Sequence, residues 1–382
     1  MRETVIVEAV RTPIGRKNGK LSTIRPDELL GKTLKGLMEK AGVSPTEVED
    51  VVAGCVSQVS EQAPDIARTA ALIANFPIEV PGVTIDRQCG SSQQAVHFAS
   101  QAIASADMDV VVAAGVESMS RVPMLSNIQG TSYSTLLTDK YEMINQGVSA
   151  ERIAEKWGMT REELDMFSLR SHEKAIHAQK TGVFEQEILP IDVTLEDGTV
   201  ETVSVDEGPR LGTTIEKLSE LKTVFKEDGM ITAGNSSQIS DGASAMLLMS
   251  REKAEQLGLK PRFRIVARSV VGSDPTIMLT GPIPATRKVL EKAGLHMEDI
   301  DVFEVNEAFA PVPLAWQKEL DVDIEKLNIF GGAIALGHPL GASGARVMTT
   351  MMTALEKTGG RYGLQAICEG FGMANATIIE RI

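Results

Sequence analysis

Cys89 is the side chain in this sequence best placed for covalent chemistry. It follows a β-branched run, Val83 to Ile85, and precedes a stretch in which Ala95, Phe98, Ala99, Ala102 and Ile103 recur at helical spacing. That puts the thiol at a strand-to-helix turn, beside unpartnered N–H groups and the positive end of a helix dipole. A thiol so placed is expected to ionise more easily and to act as a nucleophile. The ordinary alternative for a free cysteine is buried apolar packing, so the choice falls to the rest of the chain.

His338 lies in the second informative stretch, Gly331 to Arg346, which has glycines at 331, 332, 337, 341 and 344. Glycine at these places lets the backbone approach a ligand and sets His338 on a sharp loop before a helix. Such a turn alone could equally serve packing or generic phosphate binding. Two further stretches fall at expected strand ends: Val305 to Ala310, which carries Asn306, and Ala366 to Met373, which carries Cys368. The three cysteines, Cys55, Cys89 and Cys368, cannot form a full disulfide set, and none has metal-ligand spacing. Cys55 reads as core packing. His172 and His177, five apart on a polar helix, read as solvated, and His97 and His296 have no supporting context. No metal site is expected.

The elements that must position these residues alternate. A strand over Val5 to Val7 leads to a helix with Leu30, Leu34, Leu37, Met38 and Ala41 on one face, stopped by Gly42. A turn at Val48 feeds a buried strand that ends at Gly54. A helix near Asp65 to Ala74 precedes the Cys89 strand. Asp109 to Gly115 is a continuous apolar run, typical of a strand buried on both faces. Strands alternating with helices predict an α/β layer fold. After Ser118 the pattern breaks. Residues 119–148 show little periodicity, two polar helices follow at 149–157 and 160–180, a hairpin turns at Glu196-Asp197-Gly198-Thr199, and 201–239 reads as irregular. Strand character resumes at Ala243.

The second half then echoes the first. Glu39-Lys40-Ala41-Gly42 recurs as Glu291-Lys292-Ala293-Gly294, an offset of 252 positions (291 − 39) that also aligns Gly54 with Asn306. An internal duplication is expected, with an insertion carried by the first half. Strand ends from two such halves would converge on one cleft.

Composition bounds the rest. At 382 residues, 43% apolar and 24% charged, the chain is long for one core and ordinary for a globular protein. A net charge of −14 argues against a general nucleic-acid surface, though a local basic pocket could still hold a phosphate-bearing ligand. No apolar run reaches the ~20 residues of a membrane span. Met1-Arg2-Glu3-Thr4 leads into a strand without a secretory pattern, and Ile379-Glu380-Arg381-Ile382 is no peroxisomal address. A cytoplasmic protein is expected.

Taken together the motifs closely resemble those of the thiolase family. They are Glu8-Ala9-Val10-Arg11-Thr12-Pro13, the Cys89 segment, Ala114 to Ser120, Thr232-Ala233-Gly234-Asn235-Ser236-Ser237, Gly281-Pro282-Ile283-Pro284 and the three second-half segments. The resemblance spans nearly the whole chain. It implies a five-layered αβαβα fold of two duplicated halves: residues 1–118 with 240–262, an inserted loop domain at 119–239, and 263–382. It also implies an acetyl-CoA acyltransferase that cleaves 3-ketoacyl-CoA with CoA, or runs the reverse condensation. No cofactor stays bound, and coenzyme A and acyl-CoA are the substrates.

By the same resemblance Cys89 is the nucleophile that carries the acyl group as a thioester, His338 its base, and Cys368 the acid/base at the α-carbon. His338 and a water on Asn306 would form one oxyanion site, and the N–H groups of Cys89 and Gly370 the other. Arg210, Ala233, Ser237, Ala308 and Phe309 stand where the family holds the pantetheine and nucleotide. Homodimers or homotetramers are implied. Glu117 and Asn235 lie in matched motifs without an assigned role.

Departures from the family pattern bear on substrate. The family's third segment commonly runs Cys-x-Gly-Gly-Gly; here Glu369 fills the variable place and Phe371 replaces the middle glycine. Ser92-Gln93 stands where many members have Gly-Leu or Gly-Met. Tyr141 to Gly147 lacks the His-Met-Gly ending of acetoacetyl-specific members, which favours a broader 3-ketoacyl-CoA thiolase over an acetoacetyl-CoA-specific enzyme. A decarboxylating ketoacyl synthase would carry histidines in place of Asn306 and Cys368. A binder of acyl-CoA without catalysis is the remaining alternative, motivated by Glu369 and Phe371.

Overall fold

The computed structural model describes residues 2–195 and 197–382. Its strands are β1 (Thr4–Arg11), β2 (Gly15–Arg16), β3 (Asp50–Gly54), β4 (Gly82–Ile85), β5 (Val110–Ser118), β6 (Ile191–Thr194), β7 (Val200–Val203), β8 (Ser240–Ser250), β9 (Phe263–Gly272), β10 (Val302–Val305), β11 (Tyr362–Glu369) and β12 (Met373–Arg381). The main sheet runs β10-β11-β12-β9-β1-β8-β5-β3-β4, with β2 attached to β8. Only Val5–Arg264 and Ile6–Phe263 join β1 to β9, so the sheet consists of two half-sheets meeting at one seam.

The duplication is visible in strand register. In the parallel pair β3–β5, Asp50 faces Val111, and in β10–β11 Val302 faces Gly363. Both residues move by the same 252 positions (302 − 50 and 363 − 111). The edge strand β4 has a reduced counterpart, a single bridge between Phe303 and Leu327.

Five layers follow from which faces are apolar. The helices Ser91–Ser105 and Leu340–Thr358 lie between the half-sheets, where Ala95, Ala99, Ala345 and Met348 pack with Val111 and Met246 of one half and Val302 of the other. The helices Pro26–Ala41 and Ile66–Ile73 cover the outer face of the first half-sheet. The helix Pro282–Ala293 and Trp316 of the helix Pro311–Leu320 cover the outer face of the second. Gly42 and Gly294 close equivalent helices, each at φ +66°, a left-handed cap that glycine takes without strain.

The excursion between β5 and β8 holds the helices Gln146–Lys156 and Arg161–Lys180 and the hairpin β6–β7. The first of these helices begins three residues earlier than the sequence pattern predicts, where Asn145 caps it through Gly147 N. Within 201–239, read from sequence as irregular, lies the short helix Ile215–Ser219. The hairpin turn includes Glu196, outside the described residues; Leu195 N–H donates to Thr199 O across it (2.8 Å). Arg11 in β1 anchors the excursion. Its buried guanidinium grips Asp206 with two hydrogen bonds (2.7 and 2.9 Å) and Glu187 with a third (2.6 Å).

The helical face read from Ala95 to Ile103 is corrected at one place. Phe98 is 41% exposed while Ala95, Ala99 and Ile103 are buried. The buried face includes instead the polar residues Gln93, Gln94 and His97. Gln93 Nε2 and His97 Nε2 both reach Thr377 Oγ1 of β12 (2.8 and 2.7 Å), so hydrogen bonding replaces apolar contact there.

Candidate active site

Cys89 sits one residue before the N-cap Gly90 of the helix Ser91–Ser105. Its loop is held from both sides: Ser91 Oγ accepts from Arg87 N–H (2.9 Å) and donates to Gln88 O (2.6 Å). The thiol is buried and packs with Val56, Met119, Leu340 and Ile367, so residues of both halves surround it.

The expectation that the helix end would lower the Cys89 pKa does not hold. Burial pushes this thiol well above its usual value, and the neighbouring Cys368 and Glu369 push it further. The helix begins at Ser91, and desolvation outweighs its dipole. At rest Cys89 is a thiol and needs a base.

The family resemblance assigns that role to His338. Its backbone N–H donates to Gln238 O (3.2 Å) and lies 3.1 Å from Ser240 Oγ, both on the stretch entering β8. Ser343, one turn into the following helix, donates its hydroxyl proton to Pro339 O (2.8 Å). It therefore accepts from His338 Nδ1–H (2.6 Å). That assignment leaves the Nε2 lone pair free to accept, and Asn306 Nδ2 stands 3.3 Å from it. Burial and Arg346 hold the imidazole pKa down to about 3, so the ring is neutral.

Asn306, just past the end of β10, is also a neighbour of the Cys368 thiol. Burial and Glu369 push Cys368 up to about 12, with Asn306 opposing. The structure thus brings Cys89, Asn306, His338 and Cys368 together, and Gly370 lines the same cavity as Cys89. That cavity measures about 270 Å³ and is largely apolar, with Ile144, Met278, Phe309 and Leu340 in its wall.

A second cavity of about 250 Å³ is lined by Arg210, Ala233, Lys217 and His172. Ser237 N–H donates to Ala308 O (2.9 Å), and Ser236 bridges Phe309, so the segments carrying Ala233 and Phe309 run side by side. His172, expected in solvent, is buried. Its Nδ1 accepts from the Arg210 backbone N–H (3.2 Å), and burial with the Arg210 charge holds its pKa down to about 4. His177 is exposed, as its polar helix predicts. No group of three or more His, Cys, Asp or Glu side chains suited to a metal ion occurs among the described residues.

Several residues that shape this site were given no role from sequence. Ser343 has a signal, since it repeats Ser91 at the 252-residue offset (343 − 91). Asn235 Nδ2 donates to Asp165 (3.0 Å) and its Oδ1 accepts from Thr232 N–H (2.9 Å), fixing the loop before Ser237. Gln238 Nε2 lies within 3.1 Å of the carbonyl oxygens of Gly208, Ile334 and Ala335, tying the excursion to the His338 loop.

Comparisons with known proteins agree with this architecture. The thiolase N-terminal domain family matches residues 4–252 and the thiolase C-terminal domain family residues 259–381. A steroid 3-ketoacyl-CoA thiolase of Mycobacterium tuberculosis is 49% identical, with 100% of this chain and 95% of that protein covered. A 3-ketoacyl-CoA thiolase of Idiomarina loihiensis is 46% identical over 100% of both. The crystal structure of a Bacillus anthracis acetyl-CoA acetyltransferase superposes with a TM-score of 0.93 at 42% identity, covering 100% of this chain and 99% of that one.

Proposed function

The chain belongs to the thiolase family, and from that premise we propose that it degrades 3-ketoacyl-CoA by thiolysis through an acyl-thioester on Cys89. It is an acyltransferase with acyl-CoA thioesters as substrates. The observation that carries the residue roles is the hydrogen-bonded run Ser343–His338–Asn306, with Cys368 near Asn306 and Cys89 near Cys368.

In the proposed reaction His338 Nε2 takes the Cys89 proton and the sulfur attacks the 3-keto carbon. The bond between carbons 2 and 3 breaks, and its electrons become the enolate of acetyl-CoA. Cys368 S–H gives carbon 2 a proton, and acetyl-CoA leaves. Free CoA then gives its thiol proton to the Cys368 thiolate and attacks the Cys89 thioester; the Cys89 sulfur leaves and takes its proton back from His338, releasing an acyl-CoA two carbons shorter and restoring both thiols. The enolate oxygen and the tetrahedral oxyanion need donors, which the Asn306–His338 pair and the N–H groups of Cys89 and Gly370 supply. Splitting the transfer in two is the gain from covalent catalysis.

Arg210 and Lys217, beside Ala233 in the second cavity, supply positive charge for the phosphates of coenzyme A; Phe309 lies in the wall of the Cys89 cavity, and Ser237 and Ala308, paired beside it, are the proposed pantetheine contacts. Self-association is supported by the unpaired edge of β4, where Val83 is exposed, and by exposed apolar side chains on the elements next to it in sequence, Leu72, Ile78 and Phe98. A homodimer, or a homotetramer built from it, is the assembly proposed. No helix among the described residues is long and apolar enough to cross a membrane, and a cytoplasmic role in acyl-chain degradation fits that.

The test is CoA-dependent cleavage of acetoacetyl-CoA and of a longer 3-ketoacyl-CoA. Turnover of the longer substrate and loss of acyl-enzyme in Cys89→Ala are expected. Well-folded protein that cleaves neither substrate would overturn the reading.

A further inference from the structure

Phe371 is an unusual residue for its backbone. It follows Gly370 in the turn between β11 and β12 and has φ +64°, a conformation that costs a phenylalanine strain and a glycine none. Strain kept at the rim of a catalytic cavity points to a use for the side chain. The ring stays 40% exposed and meets Tyr133 edge-to-face, centroids 5.7 Å apart and planes at 89°. Tyr133 comes from the excursion, lines the same cavity, and is also 40% exposed. Met124 and Leu125, 47% and 58% exposed, continue this apolar surface outward from Cys89.

We propose that the Phe371–Tyr133 pair is the specificity-determining wall for the acyl tail, selecting 3-ketoacyl-CoA substrates whose acyl part is apolar and longer than that of acetoacetyl-CoA. This rests on the thiolysis reading and adds to it which residues choose the substrate. The occupant is the tail because the patch is continuous with the cavity that holds Cys89, the atom to which the acyl group becomes bonded. The acyl part of acetoacetyl-CoA ends one methyl group beyond the attacked carbon. A longer tail must continue along the wall, and each methylene laid on apolar surface gains up to about fourfold in binding. Edge-to-face aromatic pairing holds the two rings in place without a substrate. Removing either ring removes contacts that only the longer substrate makes.

The experiment compares kcat/KM for 3-ketodecanoyl-CoA and acetoacetyl-CoA in the wild type, Phe371→Gly and Tyr133→Ala. Phe371→Gly suits its backbone, so the fold is retained. The expected result is a fall of about tenfold in the ratio of long to short substrate in both variants. A ratio within threefold of the wild type, or a ratio that rises, overturns the proposal. So does a change of oligomeric state at an unchanged ratio, which would make the patch a subunit contact. Protection of Cys89 from iodoacetamide by decanoyl-CoA reads the same contact without turnover. Half-protection is expected to need about tenfold more ligand in either variant, and unchanged protection counts against the wall. Failure of the wild type to cleave either substrate would instead strike the thiolysis reading, leaving the protection ratio to judge the wall.

Discussion

Glu117 and Glu369 occupy equivalent places in the two halves, 252 positions apart (369 − 117), and only the first is hydrogen-bonded. Each is buried near the end of the strand that follows the catalytic-side helix of its half or leads from its counterpart. Glu117 accepts from Val56 N, Ser57 N, Gln62 Nε2 and Gly341 N, at 2.8 to 3.0 Å. It thereby ties the loop after β3 to the start of the helix that follows His338. Glu369 lies against Gly90, where an added Cβ would come within 1.9 Å of its Oε1, and neither of its carboxyl oxygens has a protein partner.

Glu117 is expected to matter for stability and for alignment of the two loops. Glu117→Ala leaves the Val56, Ser57 and Gly341 N–H groups buried without acceptors, at about 1–3 kcal/mol each when unrelieved. A loss of roughly 3–5 kcal/mol in urea unfolding is expected. A loss below about 1 kcal/mol would show that the loops hold their places without it.

Glu369 bears on the two thiols. Burial pushes its carboxyl well above the usual range, with Asp86 adding to this and Arg87 opposing. Ionised, Glu369 opposes ionisation of both Cys89 and Cys368. Glu369→Gln copies the protonated form. Iodoacetamide alkylation of Cys89 is expected to climb more steeply with pH in the variant than in the wild type. Identical profiles across the alkaline range would remove Glu369 from the electrostatics of the site.

Much of this was legible in sequence because the duplication repeats side chains at fixed offset. Gly42 and Gly294, and the strands that end at Gly54 and Asn306, follow from patterns that local physics imposes on both halves. The four side chains gathered at the site were legible through motif resemblance. What escaped were properties that depend on distant packing. Position at a helix end suggests an acidic Cys89 thiol, but the opposite shift comes from Leu340 and Ile367, which close over it from the other half. His172 lies on a polar helix, yet the Arg210 loop, 38 residues away (210 − 172), folds over and buries it. Polar residues at 93, 94 and 97 hide the buried face of their helix from a hydropathy reading; the partner of Gln93 and His97, Thr377, lies on β12.

His97 predicts a pH dependence of stability. Burial, with Arg268, Lys292 and Arg87 adding, holds it down to about 3 in the folded chain, below the usual value of 6.5. The unfolded chain binds the extra proton between those values, so the stability due to neutral His97 is complete above pH 6.5 and is lost as pH falls towards 3. The slope from one such group is about 1.4 kcal/mol per pH unit. His97→Gln is expected to flatten the fall in unfolding free energy between pH 6 and 4 by about that slope. Parallel curves for variant and wild type would mean that His97 is protonated in the folded protein.

Ser343 gives the sharpest test of how the base is set. Its hydroxyl proton goes to Pro339 O, so its oxygen holds the proton of His338 on Nδ1 and leaves Nε2 free. Ser343→Ala removes that acceptor from a buried ring, and the tautomer carrying its proton on Nε2 becomes competitive. That form cannot take the Cys89 proton. The expected result is a fall in kcat of at least about tenfold with a small change in KM, since the lost interaction acts on the reacting groups and leaves the CoA contacts in place. Iodoacetamide alkylation of Cys89 should slow in step, and Ser343→Thr, which keeps a hydroxyl, should recover most of the rate. A folded Ser343→Ala with unchanged kcat and alkylation would mean that the tautomer is fixed by something other than this bond, and that Asn306 alone orients the ring.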